Sequence, residues 1–242
     1  MKHYLAALAF AWAVQATDAL ALEPKELEQA LRALLQEKPE IVIDAIQTFQ
    51  DRLEAEQAKT SQAALTDAMN QLAKMDLPSV GATDPNAPTI YEFFDYRCGY
   101  CKKAVGHAAE LTKDGVARFV FLDWPILSPQ SRAAAKISLA AYRVEGSKYL
   151  ELHQNLLDNR GDYSDSNLDE LLEDSGYDVA VVRARLQKDD AEIEQILQTI
   201  DGIALKMGVR GTPAFIVTPK TGLASLVPGY VDVGQLRNAI PN

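Results

Sequence analysis

The feature that most constrains this chain is Cys98-Gly99-Tyr100-Cys101, which holds the only two cysteines among 242 residues. The run before it, Thr89 to Phe94, is β-branched and aromatic and reads as a buried strand. The residues after it read as a helix ending before Gly115. A helix N-terminus offers unpaired N–H groups and a partial positive charge, which stabilise a thiolate at the first cysteine. Three residues are about one helical turn, so Cys101 lies within reach of a mixed disulfide formed at Cys98. Cys98 is therefore the expected nucleophile and Cys101 the resolving thiol. A purely structural bridge is the competing reading, but one that closes so short a loop removes little chain entropy. A zinc site wants four ligands, and His107 and His153 are scattered. Copper(I) suits soft thiolates and stays open as a second activity of Cys98 and Cys101.

The pattern around the pair is α/β. Ala117 to Leu122 supplies a second strand and completes a βαβ unit. From Ser131 to Met207 the apolar spacing is helical, broken by turns at Gly146, Gly161 and Gly176, so a helical insert is expected over about residues 128–207. Strands return at Ala214 to Val217 and about Ala224 to Val227, joined by a turn at Pro219 to Gly222, and Val233 to Ile240 closes with a helix. Pro213, immediately before a strand in Gly211-Thr212-Pro213, is a candidate cis peptide that would offer the Thr212 backbone to an extended substrate; an ordinary trans turn is the alternative.

The N-terminal part carries a different message. Lys2 and His3 precede an apolar run from Tyr4 to Val14, and Ala19-Leu20-Ala21 follows in the pattern of a signal peptidase site. Residues 1–21 are thus expected to be a signal peptide cleaved after Ala21, since the run falls short of the roughly 20 residues a membrane span needs. Residues 22–76 are expected to be helical. A first helix runs from Lys25 to Gln36 with Leu27, Leu31, Leu34 and Leu35 on one side, and a second opens at Pro39 and extends to about Met75. The second carries one seam at Val42, Ile46, Phe49 and Leu53 and another, out of phase, at Leu65, Met69 and Leu72. The polar stretch from Glu54 to Gln62 between them could be a bend. Self-association through these seams is the expectation, with folding back onto the catalytic domain as the alternative. Leu77 to Pro88, with Pro78, Pro85 and Pro88, reads as a stiff linker (77–88), and the catalytic domain as residues 89–242. A net charge of −10 argues against nucleic acid as a partner, and acids such as Glu170, Glu173 and Asp174 read as solvated helix faces.

Glu92-Phe93-Phe94, Cys98-Gly99-Tyr100-Cys101-Lys102, a helical insert and Gly211-Thr212-Pro213-Ala214 together resemble the DsbA-like proteins of the thioredoxin superfamily. The run from Phe93 to Lys102 is most similar to the suppressor-of-copper-sensitivity, or ScsC, type. The resemblance implies a thioredoxin fold with a helical insertion, preceded by an N-terminal helical oligomerisation segment. It implies catalytic roles for Cys98, Cys101, the cis-proline Pro213 and Glu92, a buried acid that assists proton transfer near the resolving thiol. It also implies substrate contacts for Gly99, Tyr100 and Thr212, whereas His107 has no counterpart and reads as a helix-surface residue. No cofactor is implied beyond the redox-active disulfide of Cys98 and Cys101. Gly-Tyr replaces the Pro-His of strongly oxidising DsbA enzymes, so the thiolate loses a histidine and the disulfide should be less oxidising. Gly-Tyr and the threonine before the proline are shared with the isomerase DsbC. The implied protein is a periplasmic isomerase or reductase acting on misfolded or oxidised exported proteins. Its implied partners are a membrane electron donor of DsbD or ScsB type and its own copies, a trimer rather than a dimer. A dithiol oxidase and a copper(I)-binding protein are the other readings.

Overall fold

The structure, a computed structural model, describes residues 23–240, so the expected signal peptide and its cleavage site lie outside the described residues. Contacts divide the chain into two units, one ending at Gln57 and the other starting at Ala58.

The first unit holds α1 (Pro24–Glu37) and the beginning of α2 (Glu40–Leu72). Proline in the first turn of α1 costs no hydrogen bond, because the N–H it lacks would have no partner there. No residue of α1 is buried, and the seam residues Val42, Ile46, Phe49 and Leu53 are all exposed. Helix α2 continues through Glu54 to Gln62 without a break. Those residues are mostly good helix formers, and their polarity marks solvent exposure.

The second unit is built on a five-stranded sheet ordered β1-β3-β2-β4-β5, with β1 Ser79–Gly81, β2 Thr89–Phe94, β3 Arg118–Asp123, β4 Ala214–Thr218 and β5 Ser225–Pro228. Strands β2 and β3 are parallel, and the other neighbours are antiparallel. This is the thioredoxin sheet, and helices fill the stretch between β3 and β4: α5 (Pro129–Val144), α6 (Tyr149–Asp158), α7 (Asp165–Asp174) and α8 (Val179–Lys206).

Alternation along the strands sorts the side chains onto two cores. Ile90, Phe94, Phe119, Phe121, Phe215 and Val217 face the larger core, which also holds residues of α5, α6 and α7. Phe93, Val120, Leu122, Ala214 and Ile216 face the other, where they meet Ile200, Ile203 and Ala204 of α8. Leu65, Ala68 and Leu72 from the end of α2 complete this second core. The seam at Leu65, Met69 and Leu72 is therefore spent on the catalytic unit and not on a copy of the chain. Sequence periodicity shows only that such a face is apolar, and a nearby uncovered sheet face takes it.

The segment read as a linker also departs from expectation. Ser79 to Gly81 form the edge strand β1, in register with Arg118 to Val120. Its prolines flank the strand without occupying it, and the Pro78 carbonyl accepts from the Phe121 N–H at 2.9 Å. Gly81 has φ +91°, and a Cβ there would lie 2.4 Å from the Ala117 carbonyl oxygen, so the turn out of β1 requires glycine.

The helix expected after Cys98 is two, α3 (Gly99–Ala104) and α4 (His107–Thr112), parted at Val105 and Gly106. The interruption resets the helical phase. His107, Ala108 and Leu111 then form the buried face of α4, so His107 is a core residue and not the surface residue its lack of a motif suggested. A final helix, α9 (Val233–Asn238), starts with a capping box between Asp232 and Gln235.

Candidate active site

The turn from β2 into α3 is held by one carboxylate. Asp95 accepts from the N–H groups of Arg97 at 2.8 Å and Leu127 at 2.9 Å, while its carbonyl accepts from the Cys98 N–H at 2.9 Å. Cys98 keeps an extended backbone as the N-cap of α3, and its carbonyl accepts the first helical bond, from Lys102 N–H at 3.0 Å. Its sulfur is thereby placed over the start of the helix.

Both thiols are free, with Cys101 fully buried and Cys98 reaching the surface at its edge. The Thr212–Pro213 peptide bond is cis, and the Cys98 thiol lies 3.1 Å from the Thr212 carbonyl, to which it donates while protonated. Once ionised, the sulfur accepts instead. The Cys101 thiol is the strongest donor to it, followed by the Thr212 side chain and the N–H groups of Cys101 and Tyr100. These outweigh burial and bring the Cys98 pKa down to about 5. That lies between the roughly 8.5 of a free thiol and the roughly 3.5 of DsbA. Cys101 moves the opposite way, because burial, its bond to Cys98 and the nearby Glu92 charge all disfavour a second thiolate.

Alternation along β2 puts Glu92 on the same face as Ile90 and Phe94, and its neighbours in register are Phe121 and Phe215. Burial there, reinforced by the Cys98 charge, pushes its carboxyl well above the usual range, and Oε1 has no hydrogen-bond partner among the described residues. A carboxyl in this setting binds a proton more readily than a solvated one and can exchange it.

The structure thus brings together Cys98, Cys101, Glu92, Thr212 and Pro213, while Gly99 and Tyr100 lie on the exposed rim. It adds Tyr230, a lone loop tyrosine that no sequence pattern singles out. Its ring lies 6.1 Å from that of Tyr100 and stacks at 5.7 Å on His107, which prolongs the rim aromatic into the core. Burial holds the His107 imidazole below its ordinary pKa, with Asp232 partly opposing. Beside Thr212 and Pro213 runs a groove of about 310 Å³, whose walls include Val209, Leu226 and Pro228. On the other side of the site, the Lys102 ammonium donates to the carbonyls of Leu157, at 2.8 Å, and Asn159. It thereby caps the C-terminus of α6 and ties the insert to α3.

A family model described as the DSBA-like thioredoxin domain matches residues 89–241. Among solved structures, the thiol-disulfide exchange protein alpha-DsbA2 from Wolbachia pipientis is 26% identical with a TM-score of 0.69, over 76% of this chain and 95% of that one. A thioredoxin-like oxidoreductase from Silicibacter pomeroyi DSS-3 is 30% identical with a TM-score of 0.60, over 69% of this chain and 91% of that one. ScsC of Proteus mirabilis in a transitional conformation shares the fold at 23% identity and a TM-score of 0.64, over 91% of this chain and 95% of that one. No curated protein matches the chain.

Proposed function

Because the chain belongs to the DsbA-like thioredoxin family, we propose that it is a periplasmic disulfide isomerase and reductase of ScsC type, working through Cys98 and Cys101. The observation that carries this reading is the pairing of a Cys98 thiol ionised at neutral pH with a Cys101 thiol that stays protonated beside it. The Cys98 thiolate attacks one sulfur of a substrate disulfide, forms a mixed disulfide and expels the other substrate sulfur as a thiolate. In isomerisation that released thiolate, or another in the substrate, attacks the mixed disulfide and returns Cys98 unchanged. In reduction Cys101 attacks instead and leaves a Cys98–Cys101 disulfide, which a membrane dithiol donor of DsbD or ScsB type reduces. Cys101 must lose its proton for this attack, and Glu92, whose charge acts on the Cys101 thiol, is the acid that would take it up.

The exposed residues Val42, Ile46, Phe49 and Leu53 support self-association through the N-terminal unit. Several active sites on one assembly would hold a misfolded chain by multivalency, and a trimer is the assembly proposed. Rescue of scrambled ribonuclease by the full chain, in a redox buffer that keeps Cys98 reduced, tests the reading. Efficient oxidation of reduced substrate with no rescue would overturn it. That result is what the second reading, a dithiol oxidase, predicts; a Cys98 pKa near 5, still above the roughly 3.5 of DsbA, makes the disulfide more oxidising than one between ordinary thiols. For copper(I) no group of three or more His, Cys, Asp or Glu side chains among the described residues is arranged to hold a metal ion. Any copper(I) site on the pair would use Cys98 and Cys101 themselves, so metal and substrate would compete for one sulfur.

A further inference from the structure

Next to the cysteine motif lies a recess of about 290 Å³ lined by Arg97, Lys102, Asn159, Arg160, Gly161 and Tyr163. Two elements far apart in sequence build it. Arg97 and Lys102 flank the cysteine motif, and the remainder comes from the loop after α6. Tyr163 braces that loop, its hydroxyl lying 2.9 Å from the Tyr96 carbonyl and 2.7 Å from that of Leu156, donating between them. With Lys102 bonded to Leu157 and Asn159, the walls are held from both sides.

Three cations converge here in a chain whose acids outnumber its bases 34 to 24. Burial lowers the Lys102 pKa, Asp158 draws it back, and the charges of Arg97 and Arg160 lower it again, so the three feel one another. None has an ion-pair partner among the described residues. Arg97 donates to the neutral Gln130 amide, and Lys102 spends its protons on backbone carbonyls. The acids nearby are Asp158 and Asp162. The Asp162 carboxylate accepts from the N–H and hydroxyl of Ser164 at 3.2 and 2.8 Å and is attracted by Arg97 without forming an ion pair with it. The recess therefore keeps a positive balance, with Arg97 adjacent in sequence to the nucleophile and Arg160 brought beside it by the loop after α6.

We propose that this recess is a subsite for a carboxylate side chain close to the reacting cysteine of the substrate, with Arg160 and Arg97 as its ligands and Lys102 as fixed supporting charge. The proposal rests on the reading of Cys98 as the attacking thiol. A guanidinium matches a carboxylate with two parallel hydrogen bonds. The same charge raises the local concentration of an anionic substrate before the sulfurs meet. The chemistry is unchanged: Cys98 displaces one peptide thiolate, Cys101 displaces the second, and two peptide thiols leave as the Cys98–Cys101 disulfide forms.

The test compares two symmetric peptide disulfides that differ only in carrying Glu or Gln on either side of the cysteine. Their second-order rates with the full-length reduced protein are measured at ~0.01 M and ~1 M salt, where the screening length falls from about 30 to about 3 Å. The Glu peptide should react about fivefold faster at low salt, the factor for one partly screened ion pair, and the two should converge at high salt. In the Arg160→Glu protein the Glu-to-Gln ratio at low salt should fall below one. Equal rates at low salt, or a ratio that Arg160→Glu leaves unchanged, overturns the subsite. Hydroxyethyl disulfide, which is neutral and lacks side chains, is run on the unaltered protein. If it fails to react, the attacking-thiol reading is wrong; if it reacts while the peptide ratio stays at one, only the subsite is.

Discussion

Replacing Cys101 with alanine isolates the interaction on which the Cys98 thiolate most depends. The Cys101 thiol is the leading donor to that sulfur, ahead of the Thr212 side chain and the N–H groups of Cys101 and Tyr100. A hydrogen bond to a charged group is worth about 1.5–3 kcal/mol, and 1.36 kcal/mol corresponds to about one pH unit. Loss of the donor should therefore raise the Cys98 midpoint from about 5 by about one to two pH units. It should remain below the roughly 8.5 of a free thiol, because the two amides and Thr212 stay in place. The chain has only two cysteines, so the Cys101→Ala protein has a single thiol. Its thiolate absorbance near 240 nm, or its alkylation rate against pH, reports Cys98 alone. In the unaltered protein the same titration should show one step near 5, since Cys101 stays protonated throughout. A first step near that of a free thiol, or a Cys101→Ala midpoint that does not move, would refute the assignment of the thiolate to this donor set.

The same thiolate couples redox state to stability. Because the Cys98 pKa is lower folded than unfolded, its contribution is complete above about pH 8.5 and is lost as pH falls toward about 5. At pH 7 it amounts to roughly 1–2 kcal/mol once partial solvent access is allowed for, measurable as the gap in unfolding free energy between the reduced protein and its Cys98→Ser variant. Glu92→Gln should slow attack by Cys101 about a hundredfold, read as persistence of a trapped mixed disulfide. Because the Glu92 pKa is raised by folding, Glu92 favours the fold only while protonated, and the stability gained by Glu92→Gln should grow as pH rises above about 4.3. Leu72→Ala should cost the catalytic unit about 2–5 kcal/mol in urea unfolding, whereas Phe49→Asp should leave its unfolding unchanged and lower the mass in solution. A chain shortened to begin at Ala58 should keep dithiol reduction, while one beginning at Asp76 loses Leu65, Ala68 and Leu72 and should unfold at lower urea.

Much of this protein is legible from short stretches of sequence. The strand at Thr89–Phe94, the cysteine pair one turn apart and the helical insert all follow from spacing and residue type within a few positions. So does the closing helix that begins at Val233, because strand pleating, helix pitch and cap bonding act over that range. The segment from Leu77 to Pro88 misleads for a related reason. Three prolines signal a break in local structure, and whether the three residues between Pro78 and Ala82 pair with β3 depends on an edge formed by Arg118 to Val120, far along the chain.

Tertiary structure alone decided which distant groups surround the sulfur and where each apolar face is spent. The Thr212 carbonyl meets Cys98 across 114 positions of sequence, and Arg160 joins Arg97 only because the insert folds back over α3. His107 turned inward when helix phase was reset at Gly106, and the second seam of α2 went to an open sheet face. Periodicity states that a face is apolar but not what will cover it, because the hydrophobic effect has no direction. A pKa likewise answers to every charge and donor within a few ångströms, whatever their distance along the chain.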